Sequence, residues 1–429
     1  MQRTNNNRQT AIFLMLILPF AGLVFSLAHW RESWAKNAFW LACVYLGAVF
    51  IFLPAGTTLG GGADGGEYVL RLIDMHNDDS ISFWGIISKF QQDQRYMDLY
   101  QPLMTLLVSR FTDNGHVLFT LYAFVFGFFY SRNVWYILDK IPYRKLGSVT
   151  VFVILFFLLC PIYAINGVRM WTALHVFVYG MMPYLFEKDR SRLWWVVVAT
   201  LVHFSFLYVS ALALLFAFLP FGLKTRNYSF AFFSLLFFVL TLFFNTLNLD
   251  MVNGMLAEYS PESYEQRIGT YVNADYASNI ADLNRKNNWY VAASGNIEGW
   301  CYNLLLIAVL PCLRRNFKHD KSLTHLYVFT LILGGFANIM ALIPSGGRFQ
   351  LLSQMFKVPL FILMAMGIPR GDSFRKYMNT ASFFLLLPMV FNFRKMLDYY
   401  SITALLGNFI TVFFWENNVP LITLIKMII

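Results

Sequence analysis

The chain has 429 residues, of which 58% are hydrophobic, 18% aromatic and only 13% charged, about half the charge of an ordinary soluble domain. That composition excludes a soluble globular enzyme and points to an all-α polytopic membrane protein without room for a separate soluble domain. In such a chain a formal net charge of +10 belongs to basic cytoplasmic loops, not to a nucleic-acid surface.

Apolar spans of about 20 residues are predicted at 11–29, 38–55, 115–131, 148–165, 168–186, 228–247, 300–313, 323–344, 349–369 and 378–393, with 402–415 weaker and the tail at the interface. Together with 193–219 they give about 11–12 transmembrane helices in one integral membrane domain, 1–429. The first run lacks a small-residue cleavage site and reads as a retained helix. Cys43, Cys160, Cys301 and Cys312 lie in or beside apolar runs without metal-ligand spacing, so they read as small core residues. No internal repeat is evident.

Two long polar loops interrupt the spans, 56–114 and 248–299. Residues 56–101 carry seven acids against Arg71, Lys89 and Arg95, and 248–298 carry seven against Arg267, Arg285 and Lys286. The short connections are rich in Lys and Arg, so they are cytoplasmic by the positive-inside bias and both acidic loops are external. From Ser80 the first loop alternates at helical spacing, with Phe83, Trp84, Ile86, Ile87 and Phe90 on one face and Lys89, Asp93 and Arg95 on the other. That pattern suits a helix lying on the membrane surface or packing over the bundle's outer mouth. The remaining loop acids, Asp78 and Asp79 among them, read as solvated.

The run 193–219 breaks the topology's parity, because Lys188, Arg190 and Arg192 precede it and Lys224 and Arg226 follow it. Both ends are cytoplasmic on charge, which predicts a broken or re-entrant pair of half-helices meeting near His203. A broken helix at membrane depth needs protein or a water-filled cavity to satisfy its freed backbone. One long tilted helix is the alternative, and it inverts everything downstream.

Candidate site residues follow from this layout. Arg169 and Arg348 open spans on the outer side after Gly-marked breaks, Asn166-Gly167 and Gly346-Gly347, against the positive-inside grain. A guanidinium fork and helix N-terminal amides suit phosphate oxygens; the plain alternative is an arginine snorkelling to lipid headgroups. Asp64 and Glu67, in GGGADGGEY, are carboxylates able to take a proton from a sugar hydroxyl, or else a solvated acidic turn. His203, with Ser205 beyond it, is a structural hydrogen-bonding group or a base; His175 faces elsewhere and reads as structural. There is no P-loop, G-x-G-x-x-G, zinc spacing or serine-hydrolase elbow, which argues against a cytoplasmic sugar-nucleotide enzyme.

Taken together, these residues resemble the Wzy-type bacterial polysaccharide polymerases, and more narrowly the EpsG-like branch. The likeness rests on G-x-D-x-x-x-Y (Gly62, Asp64, Tyr68), N-x-x-R-x-x-x-A (Asn166, Arg169, Ala173), H-x-S (His203, Ser205), the span-opening Arg348, and QPLMTLLVSRF from Gln101. The arginine that often precedes the family's loop aspartate is absent from TTLGGGADGG, and the second acidic loop matches no motif.

The resemblance implies a glycosyltransferase of the bacterial inner membrane, working on its periplasmic or exterior face. It would move a growing glycan from undecaprenyl diphosphate to a lipid-linked oligosaccharide repeat unit, for O antigen, capsule or exopolysaccharide. Arg169 and Arg348 would stabilise the leaving diphosphate without a metal or cofactor. Asp64 or Glu67 would be the base, with His203 second, and Tyr68, Asn166 and Ser205 in support. Implied partners are membrane lipid, a chain-length regulator and a flippase. The rival readings are a flippase or transporter of lipid-linked glycans, for which duplicated halves are expected, and an O-antigen ligase or other lipid-donor transferase.

Overall fold

The computed structural model describes residues 2–52, 64–90, 96–142, 147, 149–218, 228–244, 288–317, 320–343, 345–369, 371–415 and 418–428. Most of the second acidic loop therefore lies outside the described residues. Those described form helices and no strand, as a chain surrounded by lipid must if its backbone polar groups are to be satisfied within each segment.

The chain begins with α1 (Gln2–Ile17) and α2 (Pro19–Ala28), then α3 (Ala35–Ala48), which packs along α7 (Gly115–Leu138). Between them lie α4 (Asp64–Asn77), the short α5 (Phe83–Ser88) and α6 (Tyr100–Ser109). The central hairpin is α8 (Val149–Leu159), a 3₁₀ turn (Ile162–Gly167) and α9 (Val168–Glu187), followed by α10 (Trp194–Val202), α11 (Phe206–Phe218) and α12 (Tyr228–Thr241). The second half comprises α13 (Trp289–Asn316), α14 (Lys321–Met340), α15 (Arg348–Gly367), α16 (Ser373–Phe384) and α17 (Leu386–Met396), then α18 (Thr403–Leu406) and α19 (Leu421–Ile428). By length and apolarity alone, α7, the α8–α9 segment, α13, α14 and α15 suffice to cross a membrane, and α2, α11 and α12 are shorter apolar helices.

One end of the bundle collects the basic connections. Arg31 donates to the carbonyls of Ile141 and Pro142, the Ser322 hydroxyl donates to the carbonyl of Phe186, Lys188 contacts His325, and Arg315 pairs with Asp372. Helices here begin on aspartate caps, Asp320 accepting from the amides of Ser322 and Leu323, and Asp372 from that of Phe374. Against the upward push of burial, the Asn316 amide, the capping bond from Phe374 and Arg315 together hold the Asp372 carboxyl below its usual range.

The predicted break is present at His203. Val202 ends α10, His203 is extended, and α11 begins at Phe206. The Ser210 hydroxyl donates to the carbonyl of Val196 at 2.7 Å, a contact that a continuous helix would place about 20 Å apart. The two half-helices therefore double back from the basic end as a hairpin, and the single tilted helix is excluded. At the tip the freed groups find partners in the segment leading into α6. Leu99 N donates to Leu201 O at 3.0 Å, and Phe204 N donates to the Asp98 carboxylate at 2.7 Å.

Three expectations are corrected. Asp98 is not a solvated loop acid but is buried, 2% exposed. α13 starts well before the apolar run at 300, so Glu298 belongs to a helix and not to the external loop. Residues 402–415 form no span, because Tyr45 donates to the carbonyl of Thr403 and Ile51 to that of Tyr399, folding the segment against α3. In α5, Ile86 packs with Met75, Tyr96 and Leu106 while Trp84 is 75% exposed, so this short helix both packs and presents aromatics outward.

Candidate functional site

A cavity of about 490 Å³ opens at the end of the bundle opposite the basic connections. Arg169 and Arg348 both line it, as do Asp64, Tyr68, Asn166 and His203. Residues spread over nearly 300 positions of sequence thus meet in one chamber, and the two arginines are not turned separately into lipid.

α9 and α15 both begin at this wall. Their N-caps are Gly167 and Gly347, neither of which supplies a capping side chain, and both glycines line the cavity. The first-turn amides of two 20-residue helices are therefore left without side-chain caps beside two guanidinium groups. Helix dipole, N–H groups and arginine charge all favour an anion in the same place.

Arg169 is held on two sides. Its Nη1 lies 3.1 Å from Asp98 Oδ2, and its Nε donates to the Tyr68 hydroxyl at 3.4 Å. Burial pushes the Tyr68 phenol up, with the Arg169 charge pulling the other way, and the group stays a neutral acceptor for Nε. Beneath it, Arg71 donates to Gln101 Oε1, Gln101 to the Thr105 hydroxyl, and Thr105 shares a hydrogen bond with Tyr122. This gives the QPLMTLLVSRF segment a role as the floor of the site.

Asn166 accepts from the Gly65 amide through Oδ1 at 3.2 Å, pinning the start of α4 against the 3₁₀ turn. A Cβ on Gly65 would sit 2.6 Å from that oxygen, so the glycine is what permits the approach. The contact carries Asp64 to the cavity. Glu67, three residues on, lies on an exposed face of α4 and does not line the cavity. At the hairpin tip, Ser205 donates to His203 Nδ1 from its amide at 3.2 Å and its hydroxyl at 2.9 Å. His175 is buried between Asn133 and the Cys160 carbonyl, as a structural histidine would be.

Reading the sequence missed Glu298 of α13, Gln350 and Gln354 of α15, and Asn392 and Lys395 of α17, which complete the polar lining. Trp171, Tyr163 and Tyr399 also line the chamber, and Tyr163 and Tyr399 stack at 5.5 Å. Such faces suit sugar rings as well as each other.

A family model described as the EpsG family matches residues 41–406, which span every residue named in this site. The chain belongs to the EpsG family. The resemblance drawn from the short motifs is thereby borne out, and membership brings a polysaccharide-polymerase type of function. No curated protein and no solved structure matches the chain. In this EpsG family member, the motif residues Asp64, Tyr68, Asn166, Arg169, His203 and Arg348 come together around one cavity, with Ser205 supporting His203 from behind.

Proposed function

We propose that the protein is a membrane glycosyltransferase that polymerises lipid-linked repeat units on the outer face of the bacterial cytoplasmic membrane. The growing glycan leaves its polyprenyl diphosphate carrier and joins a hydroxyl of another lipid-linked oligosaccharide. The observation that carries this reading is the convergence of Arg169 and Arg348, each at the side-chain-uncapped start of a helix, on one chamber.

Departure of a diphosphate develops negative charge on its bridging oxygen. Preorganised cations and amides in a water-poor site stabilise that charge without reorganising at the moment of reaction. In this reading Arg169 and Arg348 supply the charge that would otherwise fall to a metal. A carboxylate on the wall takes the proton of the attacking hydroxyl, and the carrier's polyprenyl chain stays in lipid. The basic end faces the cytoplasm, so the chamber opens outward.

The test is polymer formation by the purified protein in detergent, supplied with lipid-linked repeat units extracted from a strain lacking it. A ladder of products from wild type, and none from Arg169→Ala protein that inserts and purifies normally, is expected. Normal-length polymer from Arg169→Ala, or no ladder from folded wild type, overturns the proposal; the latter outcome is also what a flippase would give.

A further inference from the structure

The chamber holds three groups of a kind that could take the acceptor's proton: Asp64, His203 and Glu298. Their surroundings differ. The Ser205 amide can only donate, so His203 Nδ1 accepts from it and the ring proton of neutral imidazole resides on Nε2. In that form His203 is a hydrogen-bond donor. Asp64 heads α4, whose N-terminus favours its charge, and it lies within electrostatic reach of Arg169. That placement suits it as a counter-ion to Arg169 at the cavity wall.

Glu298 stands apart. It projects from α13 into the cavity, and its Oε1 is buried with no partner at full hydrogen-bond geometry among the described residues, although the buried and likewise unpartnered Tyr302 hydroxyl one turn on lies close enough to interact with it. Leaving a buried carboxylate oxygen without a full hydrogen bond is costly, because the group has been desolvated without compensation, so a native structure that keeps one calls for an explanation. Its charged neighbour Lys395, on the packed helix α17, also lines the cavity, and so does Arg348 on α15. Thus the orphaned acceptor shares a wall with cations that can hold a diphosphate, while the Asp98 and Tyr68 contacts fix Arg169 from the other side.

We infer that Glu298 is the general base of the transfer, its Oε1 receiving the hydrogen bond of the acceptor sugar hydroxyl. The inference rests on the polymerase reading. In the step, the hydroxyl oxygen forms a bond to the anomeric carbon of the donor. Its proton passes to Glu298, and the bond from that carbon to the diphosphate oxygen breaks. The electron pair leaves with polyprenyl diphosphate, against Arg348 and Lys395.

Glu298→Gln keeps the size of the side chain and removes the base. Purified full-length protein with extracted lipid-linked repeat units should lose about 100-fold or more in transfer, while binding of the same lipid-linked oligosaccharide stays within about twofold. Azide supplies the decisive second readout, because this anion attacks the anomeric carbon with no proton to remove. In Glu298→Ala protein, added azide should restore release of polyprenyl diphosphate, with the glycan recovered as its glycosyl azide. Transfer by Glu298→Gln within about threefold of wild type would overturn the assignment and leave the polymerase reading standing. Glu298→Ala protein that binds the lipid-linked oligosaccharide yet gives no azide product would do the same. If wild type forms no polymer, the reading and the assignment fall together.

Discussion

Asp98 and Arg169 form an ion pair at 3.1 Å in which the carboxylate is almost wholly buried and the guanidinium mostly so. The other carboxylate oxygen accepts from the Phe204 amide at the hairpin tip. One side chain therefore fixes both the cation at the start of α9 and the backbone break that brings His203 to the cavity. Removing one partner of a buried pair costs about 3–5 kcal/mol, because the charge left behind remains desolvated. Asp98→Ala should lower the unfolding temperature in detergent markedly and abolish polymer. Asp98→Asn keeps an oxygen for the Phe204 amide and should lose less stability but most of the activity. Wild-type melting and a full product ladder from Asp98→Ala would show the pair to be incidental.

His203 offers a sharper discrimination. With Nδ1 accepting from Ser205, the ring acts through a donated hydrogen bond, and glutamine can donate from a similar position while it cannot serve as a base. His203→Gln should retain polymerisation within a few-fold, whereas His203→Ala should lose about tenfold, the value of one hydrogen bond near 1.4 kcal/mol. Ser205→Ala leaves the backbone amide in place and should matter less than either. Equal and total loss in His203→Gln and His203→Ala, measured as initial rates of product formation, would instead make the imidazole a base.

Much of this arrangement is legible in the residues alone, and the exceptions have a common cause. Charge flanking 193–219 demanded an even number of crossings, so the break at His203 followed from parity, and Gly-marked breaks picked out both arginines. Asp98 escaped because it was counted with a solvated loop, although its neighbours read Tyr96-Met97-Asp98-Leu99-Tyr100, an acid inside an apolar run. Glu298 escaped for a related reason. A span begins by eye where apolarity becomes continuous, but α13 starts earlier, its first turns largely exposed and Glu298 reaching the polar chamber before the apolar run begins. Lys395 lies just past the predicted span at 378–393, and α17 carries it to the cavity. Apolarity marks the lipid-facing surface, and a site built inside the bundle removes that mark from the residues that form it.

The hairpin fixes sidedness in a way that labelling reads directly. Ser191, before α10, and Phe218, at the end of α11, lie at the basic end, whereas Trp84 is exposed on α5, between α4 and α6 in the chain. In a background with the four native cysteines replaced by alanine, Ser191→Cys and Phe218→Cys should resist a membrane-impermeant maleimide in intact spheroplasts and react after permeabilisation. Trp84→Cys should react without it. Opposite accessibility of positions 191 and 218 would mean that the segment crosses the membrane.

Packing of that hairpin on α9 depends on Gly180. A Cβ there would meet the Arg192 carbonyl oxygen at 2.9 Å, and Trp195 Cβ and the Val196 nitrogen at 3.0 Å. Gly to Ala in a helix gains about 1 kcal/mol of propensity, but overpacking a filled contact costs about 1–3 kcal/mol, and two of these three neighbours are backbone atoms, one in the turn leading into α10 and one in α10 itself, that move only with the start of that helix. The second effect should win. Gly180→Ala is expected to lower both the melting temperature and the polymerisation rate although it does not line the cavity, since displacing α10 displaces His203. Gly295 in α13 has nothing within 4 Å of a built Cβ, so Gly295→Ala should keep the propensity gain and melt at or slightly above wild type. If both variants melt alike, the close α9–α10 approach is not what seats the hairpin.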